Sequence, residues 1–335
     1  MNKVLIFIAF FSFLSDSFSQ NPEIIQLAQR ITWDIHDDSL KVIAICHWMI
    51  DNISYDRNNA ALDNPKDEAS NVNIIVKRKK AICAGYANLF KSLCTLNNIN
   101  AEIINGYALG LGYEIAEQIP IDRDNHAWNA VKINNRWYLM DITWADNDDG
   151  TYDAEYLWAD PSVFIKKHLP DDPFWQFLDD PVSLDCFIYA KNCNDKIVSK
   201  PNNGQHISEA FKLDSIERTY NYFKRAIGFN QDNIELIRQA AYFFLQRGDD
   251  ALNEYYKLKE QQKKTFDVFK DKESILLPLR KSKSYFEVSI KFYGKIYYKT
   301  GELNADNIKY DASKIKETDH EIEMIELYFK QTNRR

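Results

Sequence analysis

Three short islands between Cys83 and Asp141 carry residues that could do chemistry. They follow one another in the order cysteine, histidine and aspartate: Cys83-Ala84-Gly85-Tyr86-Ala87, Asn125-His126-Ala127-Trp128-Asn129 and Asp141-Ile142-Thr143-Trp144. A cysteine attacks as its thiolate, and a free thiol with a pKa of about 8.5 is only slightly ionised at neutral pH. An imidazole base and a carboxylate that orients it can supply the missing activation. The order therefore indicates a thiol nucleophile with its base and its orienting acid.

The elements predicted around these residues would bring them together. Apolar residues recur at helical spacing after Cys83, which places the thiol in the first turn of an amphipathic helix, where unpaired N–H groups favour a negative sulfur. Residues 126–133 and 136–142 are predicted as strands joined by a tight turn at Asn134-Asn135. Because antiparallel strands lie side by side, we expect His126 and Asp141 to come within reach of each other.

The islands resemble the transglutaminase-like superfamily of the papain-related cysteine fold. The resemblance spans residues 35–190, and His168-Leu169-Pro170 with Trp175-Gln176 is similar to the kyphoscoliosis-peptidase branch. It implies an α+β core in which N-terminal helices pack on an antiparallel sheet. It also implies that Cys83 is the nucleophile, that His126 is the base that later protonates the leaving amine, and that Asp141 orients the imidazole.

The reaction implied by the resemblance is attack of the Cys83 thiolate on a protein or peptide amide. The acyl-thioester is then resolved by water, as in a peptidase or amidohydrolase, or by an amine, as in transamidation. Inert scaffolds also occur in the superfamily, so the alternative is a binding protein whose helical C-terminal domain holds a partner. Trp128, Trp144 and Tyr86 are predicted to wall the site, although aromatic residues of this kind also fit an ordinary core.

Neither a metal site nor a cofactor is predicted. The acidic loop from Asp146 to Gly150 lacks the regular ligand spacing and the distal glutamate of an EF-hand, so a solvated turn is the favoured interpretation. The chain has no CxxC pair for zinc. The histidines outside the islands lack companions at ligand spacing: His36, His47, His168, His206 and His320.

Charge and the N-terminal segment narrow the class of partner and the location. A net charge of −7 argues against nucleic acid as a partner. A charged start, an apolar run and a small-residue end predict a signal peptide over residues 1–19 with cleavage before Gln20. We therefore expect a secreted or periplasmic protein without stable membrane insertion. An N-terminal anchor that stays uncleaved is the alternative.

The chain has five cysteines, and an odd number outside the cytosol leaves at least one thiol unpaired. Cys186 and Cys193 are close enough in sequence to bridge a loop. Cys46 and Cys94 lie in apolar helical patterns and are predicted to be buried. Cys83 is the thiol that we expect to stay free.

Two domains are predicted. A transglutaminase-like domain covers residues 20–193, a linker covers 194–206, and a mainly α-helical domain covers 207–335. Helix-like segments separated near Gly228 and at Gly248-Asp249 resemble a degenerate tetratricopeptide-type hairpin and suggest a site for a protein partner. Strand and helix are equally plausible for residues 284–298.

Overall fold

The computed structural model describes residues 21–62, 66–110, 119–147, 149, 151–189, 200–202, 204–265, 272–301 and 304–332. The predicted signal peptide and most of the predicted linker lie outside these residues. The chain divides into two compact units, Met1–Asn230 and Gln231–Arg335. The boundary between the units thus falls after the segment predicted as a linker, because two further helices belong to the first unit.

The first half of unit one is a layer of helices, and most of them begin at a capping side chain. Their bounds are α1 Pro22–Ile31, α2 Asp38–Asn52, α3 Arg57–Ala60, α4 Val72–Arg78 and α5 Cys83–Leu96. The carboxylates or amides of Asn21, Asp37, Asp56 and Asn71 accept from N–H groups at the starts of α1 to α4. Such caps each contribute about 1 kcal/mol to stability. At α5 the cap position is Ile82, whose side chain has no polar atom.

A five-stranded antiparallel sheet lies against the helices. Its strands are β3 Ala101–Ala108, β4 His126–Ile133, β5 Arg136–Met140, β6 Leu157–Ala159 and β7 His168–Pro170, in the order β6-β5-β4-β3-β7. A separate parallel pair joins β1, Ser54–Tyr55, to β2, Lys80–Ala81. The turn between β4 and β5 holds Asn134 and Asn135 at φ of 50° and 66°, the left-handed conformation that a type I′ hairpin turn requires.

One apolar cluster joins the helices to one face of the sheet. Tyr86, Phe90 and Leu93 on α5 are buried in it together with Val131 on β4 and Met140 at the end of β5. A second cluster on the opposite face contains Trp128, Trp137 and Trp175. The high aromatic content of the chain is therefore used on both faces of the sheet, where it fixes the strands that carry the candidate site residues.

The described remainder of unit one contains four short α-helices and a final helix of 15 residues. Its helices are α6 Ile142–Ala145, α7 Pro161–Phe164, α8 Leu184–Tyr189, α9 Gln205–Ala210 and α10 Ser215–Phe229. The Gln176 side chain holds one loop, since its amide donates to the Val182 carbonyl at 3.0 Å and its oxygen accepts from the Val182 N–H at 2.7 Å. Arg225 on α10 makes a bidentate ion pair with the buried carboxylate of Asp172.

In unit two the described residues form three long helices, α11 Ile234–Thr265, α12 Lys272–Thr300 and α13 Ala305–Thr332. The predicted break at Gly248-Asp249 is wrong, because α11 runs through both residues. Gly248 is needed there for packing, since a Cβ would lie 2.6 Å from the Phe286 ring of α12. The Ser282 hydroxyl of α12 also donates to the Gly248 carbonyl at 2.9 Å. Residues 284–298, left open between strand and helix, are helical.

The predicted fold class is confirmed. The protein combines an antiparallel sheet and its covering helices with a helical C-terminal region. Among the described residues, no helix is both long enough and apolar enough to span a bilayer.

Candidate active site

Cys83 is the first residue of α5, and its side chain is half-buried. The strand β2 and the residue Ile82 lead into the helix, and the N–H of Ile82 is held by the Ala69 carbonyl at 3.1 Å. The first N–H groups of a helix have no partner within the helix, and Ile82 cannot cap them with a side chain. Cys83 therefore lies where backbone donors can face a negative sulfur or an oxyanion.

Gly85 lets the first turn of α5 lie close to the neighbouring chain. A Cβ at this position would overlap the Ala69 carbonyl oxygen and would lie 2.8 Å from a methyl group of Ile75. Glycine is thus the residue that lets the helix carrying Cys83 approach α4 and the turn before it. This close contact fixes the start of the helix relative to its surroundings.

A buried amide links the helix that carries the thiol to the strand that carries the imidazole. Asn129 lies on β4, three residues after His126, and only 1% of its surface is exposed. Its Nδ2 donates to the Ala87 carbonyl of α5 and to the Glu102 carbonyl of β3, both at 3.1 Å. Because these bonds are shielded from water, they hold α5, β3 and β4 in one register.

His126 and Asp141 form a hydrogen-bonded pair beneath the thiol. The register of β4 and β5 pairs Asn129 with Met140, so Asp141, the next residue, lies close to the start of β4. His126 Nε2 is 2.8 Å from Asp141 Oδ2, and both side chains are almost completely buried. The Cys83 side chain lies close enough to the His126 ring to raise its pKa. The three predicted residues are therefore brought together.

The pKa of His126 is raised and the pKa of Asp141 is lowered. Burial by itself would lower the pKa of His126, but the charge and hydrogen bond of Asp141 and the contact with Cys83 raise it to about 10. Burial would raise the pKa of Asp141, yet His126 and a second histidine, His168, hold it well below its usual range. At neutral pH the pair is thus an imidazolium and a carboxylate, the state that stabilises a neighbouring thiolate.

The Asp141 carboxylate accepts hydrogen bonds from more than one group. Its Oδ1 accepts from the Trp144 N–H at 3.1 Å and so caps the short helix α6. Its Oδ2 accepts from His126 and also from His168 Nε2, at 2.9 Å. In the sequence, His168 has no companion at metal-ligand spacing, and 27 residues separate it from Asp141. It reaches the site through β7, which pairs with β3 on the side away from β4.

Aromatic rings surround the two histidines. The Trp144 ring centroid lies 5.5 Å from that of His126 and 4.4 Å from that of His168. Trp128 contacts both imidazoles at 5.9 Å and 5.2 Å, and it is 1% exposed. Of the two tryptophans among the three predicted wall residues, Trp144 has surface open to solvent, whereas Trp128 lies in the core.

Tyr86 lies in the core as well. It is 1% exposed, and its hydroxyl is 2.8 Å from the Ile53 carbonyl oxygen and 2.9 Å from Asp146 Oδ2. The structure therefore uses Tyr86 to tie α5 to the ends of α2 and α6. The acidic loop that begins at Asp146 lies partly outside the described residues.

For the cysteines that the structure describes, the state of each thiol agrees with the sequence prediction. Cys46 and Cys94 are free and buried, and burial raises the pKa of both thiols. Cys83 is free and half-buried. Cys186 is disulfide-bonded, and its predicted partner, Cys193, lies outside the described residues.

His126, Asp141 and His168 are also of the types that ligate metals, and one atom from each lies within 4.8 Å of the others. Both imidazoles, however, are at hydrogen-bond distance from the same oxygen, Oδ2 of Asp141. That geometry places an N–H on each line between nitrogen and oxygen. We therefore interpret the cluster as a hydrogen-bonded chain and assign no metal to it.

The profile of the transglutaminase-like superfamily matches residues 25–142, which include Cys83, His126 and Asp141. Human kyphoscoliosis peptidase is 34% identical over 167 residues, which cover 48% of this chain and 25% of the relative. The chain carries a transglutaminase-like domain. The predicted similarity to the transglutaminase-like superfamily and to its kyphoscoliosis-peptidase branch is confirmed.

Two further comparisons cover less of the transglutaminase-like domain or match it more weakly. The Lim and transglutaminase domain protein ltd-1 of Caenorhabditis elegans is 28% identical over 116 residues, 30% of this chain and 16% of that protein. A crystal structure of a candidate cysteine protease from Cytophaga hutchinsonii aligns with a TM-score of 0.29 and 21% identity, covering 40% of this chain and 44% of that one. The chain aligns with about a quarter of the length of human kyphoscoliosis peptidase.

Proposed function

We propose that the transglutaminase-like domain is a cysteine acyltransferase or hydrolase acting on protein or peptide amides. The observation that carries the proposal is the series of Cys83 next to His126 and His126 hydrogen-bonded to Asp141, with the thiol at an uncapped helix N-terminus. Each group is positioned for the role that its chemistry allows. An imidazolium held by a carboxylate stabilises the thiolate that attacks.

In the proposed reaction the Cys83 sulfur forms a bond to the amide carbonyl carbon, and the carbonyl electrons move to oxygen. The backbone N–H of Cys83 is the proposed oxyanion donor. Collapse of the oxyanion breaks the carbon–nitrogen bond, and His126 gives its proton to the departing amine. Neutral His126 then takes a proton from water, which attacks the thioester and releases a carboxylic acid and the thiolate.

A primary amine in place of water would give a new amide instead of an acid. We propose hydrolysis as the main outcome, because water is abundant where an exported protein works. Purified protein incubated with casein and a fluorescent primary amine separates the two outcomes. Release of new carboxyl termini supports hydrolysis, whereas fluorescence incorporated into casein supports transamidation.

The proposed chemistry predicts an unusually reactive Cys83. Iodoacetamide should alkylate Cys83 near pH 6 at a rate at least tenfold above that of a free cysteine, because the imidazolium keeps sulfur ionised. His126→Ala should remove this advantage. Peptide mapping by mass spectrometry measures both rates, and His36→Ala, which changes an exposed histidine, is the matched control.

An inert site would give a different pattern. If Cys83 reacts no faster than free cysteine, or if His126→Ala leaves its rate unchanged, the thiolate–imidazolium pair is absent and the enzyme proposal fails. The alternative function is a scaffold that holds a protein partner through the helical C-terminal region. It would be favoured if Cys83→Ala left the cellular phenotype intact while removal of residues 231–335 abolished it.

We further propose that the protein is exported and that its signal peptide is cleaved before Gln20. The charged, apolar and small-residue order of residues 1–19 supports this proposal. N-terminal sequencing of protein recovered from the periplasm or medium tests it. A mature N-terminus at Gln20 is the expected result, and an intact Met1 would favour the uncleaved anchor.

A further inference from the structure

His168 occupies a closed aromatic box next to the proposed catalytic residues. Its side chain is fully buried, and its ring stacks on Phe164 with centroids 3.9 Å apart and planes 17° from parallel. Trp144, Trp128 and Tyr156 close the other sides at 4.4, 5.2 and 6.0 Å. The ring has little room to turn, so its two nitrogen atoms point in fixed directions.

The direction of the hydrogen bond between His168 and Asp141 follows from the chemistry of the acceptor. An ionised carboxylate has no hydrogen to give, so the bond at 2.9 Å must be donated by His168 Nε2–H. Asp141 Oδ2 thus accepts two N–H groups, one from each histidine. Two such charge-assisted bonds fix the carboxylate more firmly than one, since they define the oxygen's position from two sides.

The other nitrogen shows that the His168 ring is neutral. Nδ1 is buried and has no hydrogen-bond partner among the described residues. A neutral ring places only a lone pair there, whereas a protonated ring would bury an unsatisfied N–H and a second positive charge beside His126. Burial and the His126 charge accordingly outweigh Asp141 and lower the pKa of His168 to about 4.

We propose that His168 is a positioning residue, whose neutral imidazole donates Nε2–H to Asp141 Oδ2 and thereby holds the carboxylate against His126. The inference rests on the proposed function of Cys83, His126 and Asp141. The strand pairing of Ala108 with His168 supplies the ring from the far side of β3, while the pairing of Gly106 with His126 supplies the base from the near side. Asp141 is thus held between donors from two different strands.

The charge of the site explains why a neutral donor is useful. With sulfur ionised, the thiolate, the imidazolium and the carboxylate sum to one negative charge in a largely buried place. An added N–H donor stabilises that negative charge, and a neutral ring does so without placing a second positive charge beside the imidazolium. Other charged or titratable groups near the site are Tyr55, whose pKa is raised by burial and by Cys83, and Lys167. Removal of the His168 donor should therefore make thiolate formation harder.

The test compares three variants by the rate of Cys83 alkylation with iodoacetamide from pH 4 to 9. His168→Phe keeps an aromatic ring in the box and removes the donor. His168→Gln places an amide N–H close to the former Nε2 and should restore much of the function. Phe164→Leu is the matched packing control, because it disturbs the ring that stacks on His168 without touching the donor.

The expected result for His168→Phe is an alkylation rate at pH 6 at least tenfold lower than that of the native protein, as for loss of one hydrogen bond to a charged group. The alkylation rate of this variant should also begin to rise at a higher pH than that of the native protein. Phe164→Leu should lower the melting temperature and leave the pH profile in place. Equal profiles for the native protein and His168→Phe, or equal shifts in Phe164→Leu and His168→Phe, would overturn the inference.

Nitrogen-15 NMR of histidine-labelled native protein tests the inference even if His168→Phe does not fold. The expected spectrum shows His168 as the neutral Nε2–H tautomer that does not titrate between pH 5 and 9. A protonated ring or an Nδ1–H tautomer contradicts the inference. Failure of the proposed function has a different signature, since Cys83 of the native protein would then lack enhanced alkylation while the His168 spectrum stayed as described.

Discussion

At the scale of single residues, the Asp141 carboxylate has three hydrogen-bond partners. One oxygen caps α6 and the other receives both imidazoles, so the carboxylate ties the sheet, the following helix and the strand β7 to one point. Its pKa is held well below the usual range, which means that it stays ionised in the folded chain. This carboxylate therefore contributes to stability above the pKa of an unfolded aspartate and loses that contribution as the pH falls toward its folded value.

Asp311 in the second unit has the opposite effect on stability, because its ionised form is destabilising. It is fully buried on α13, and burial together with the charge of Asp249 raises its pKa to about 6, although the Ser289 hydroxyl partly offsets this. Because the unfolded chain ionises first as the pH rises, Asp311 lowers stability progressively between pH 4 and 6 and fully above pH 6. We predict that Asp311→Asn raises the melting temperature at pH 8 by several degrees and has little effect at pH 4.

Thermal unfolding followed by circular dichroism at the two pH values measures this difference. Asp306→Asn is the matched control, because Asp306 is an exposed carboxylate on the same helix. A gain of equal size at pH 4 and pH 8 would show that removal of the charge is not the cause.

At the scale of elements, the amide of Asn129 links the helix that carries the proposed nucleophile Cys83 to the strand that carries the proposed base His126. Truncation to alanine would remove one hydrogen bond from each of the Ala87 and Glu102 carbonyls, at a cost of about 0.5–1.5 kcal/mol for each bond. We predict that Asn129→Ala lowers the free energy of unfolding by about 2 kcal/mol and slows alkylation of Cys83.

Urea unfolding and the iodoacetamide rate measure the two effects of Asn129→Ala. Asn52→Ala is the control, since the Asn52 amide donates to the Trp48 carbonyl on the exposed surface of α2. An alkylation rate unchanged in a destabilised Asn129→Ala protein would show that the bond supports the fold without aligning the thiol.

The elements also show which parts of the site a sequence can reveal. The hairpin was predictable because Asn134-Asn135 is a local signal and both residues adopt positive φ. The placement of Cys83 at a helix start was predictable from local apolar spacing. His168 was not, because its contact with Asp141 depends on β3 lying between β4 and β7, a pairing of distant segments. Gly248 misled the prediction because its small size serves a contact with α12, which the local sequence does not contain.

At the scale of the whole molecule, the extent of the unit that carries the proposed active site can be tested by truncation. The Asp172 carboxylate is buried, and its bidentate partner Arg225 lies on α10, beyond the predicted linker. We predict that a chain ending at Asn230 folds cooperatively and keeps the reactivity of Cys83. A chain ending at Asn202 should be several kcal/mol less stable, since it loses the Arg225 partner of a buried charge.

Chemical unfolding of both truncated proteins gives the comparison, and point variants isolate the ion pair. Arg225→Met in the full chain should be destabilising by about 3 kcal/mol. Lys212→Met, which breaks an exposed pair with Glu209, should change stability by less than about 1 kcal/mol. If the chain ending at Asn202 is as stable as the one ending at Asn230, the unit ends at the predicted linker after all.

The indole rings beside His126 give the molecule an internal optical reporter. Protonated imidazole quenches tryptophan emission over short distances, and Trp144 and Trp128 lie 5.5 and 5.9 Å from the His126 ring. Because the pKa of His126 is raised, the emission should brighten only under alkaline conditions, when the ring loses its proton. Alkylation of Cys83 would remove the proposed thiolate beside His126 and should move that brightening to lower pH. The ionisation of the proposed site can thus be followed in the unlabelled protein, without knowledge of its substrate.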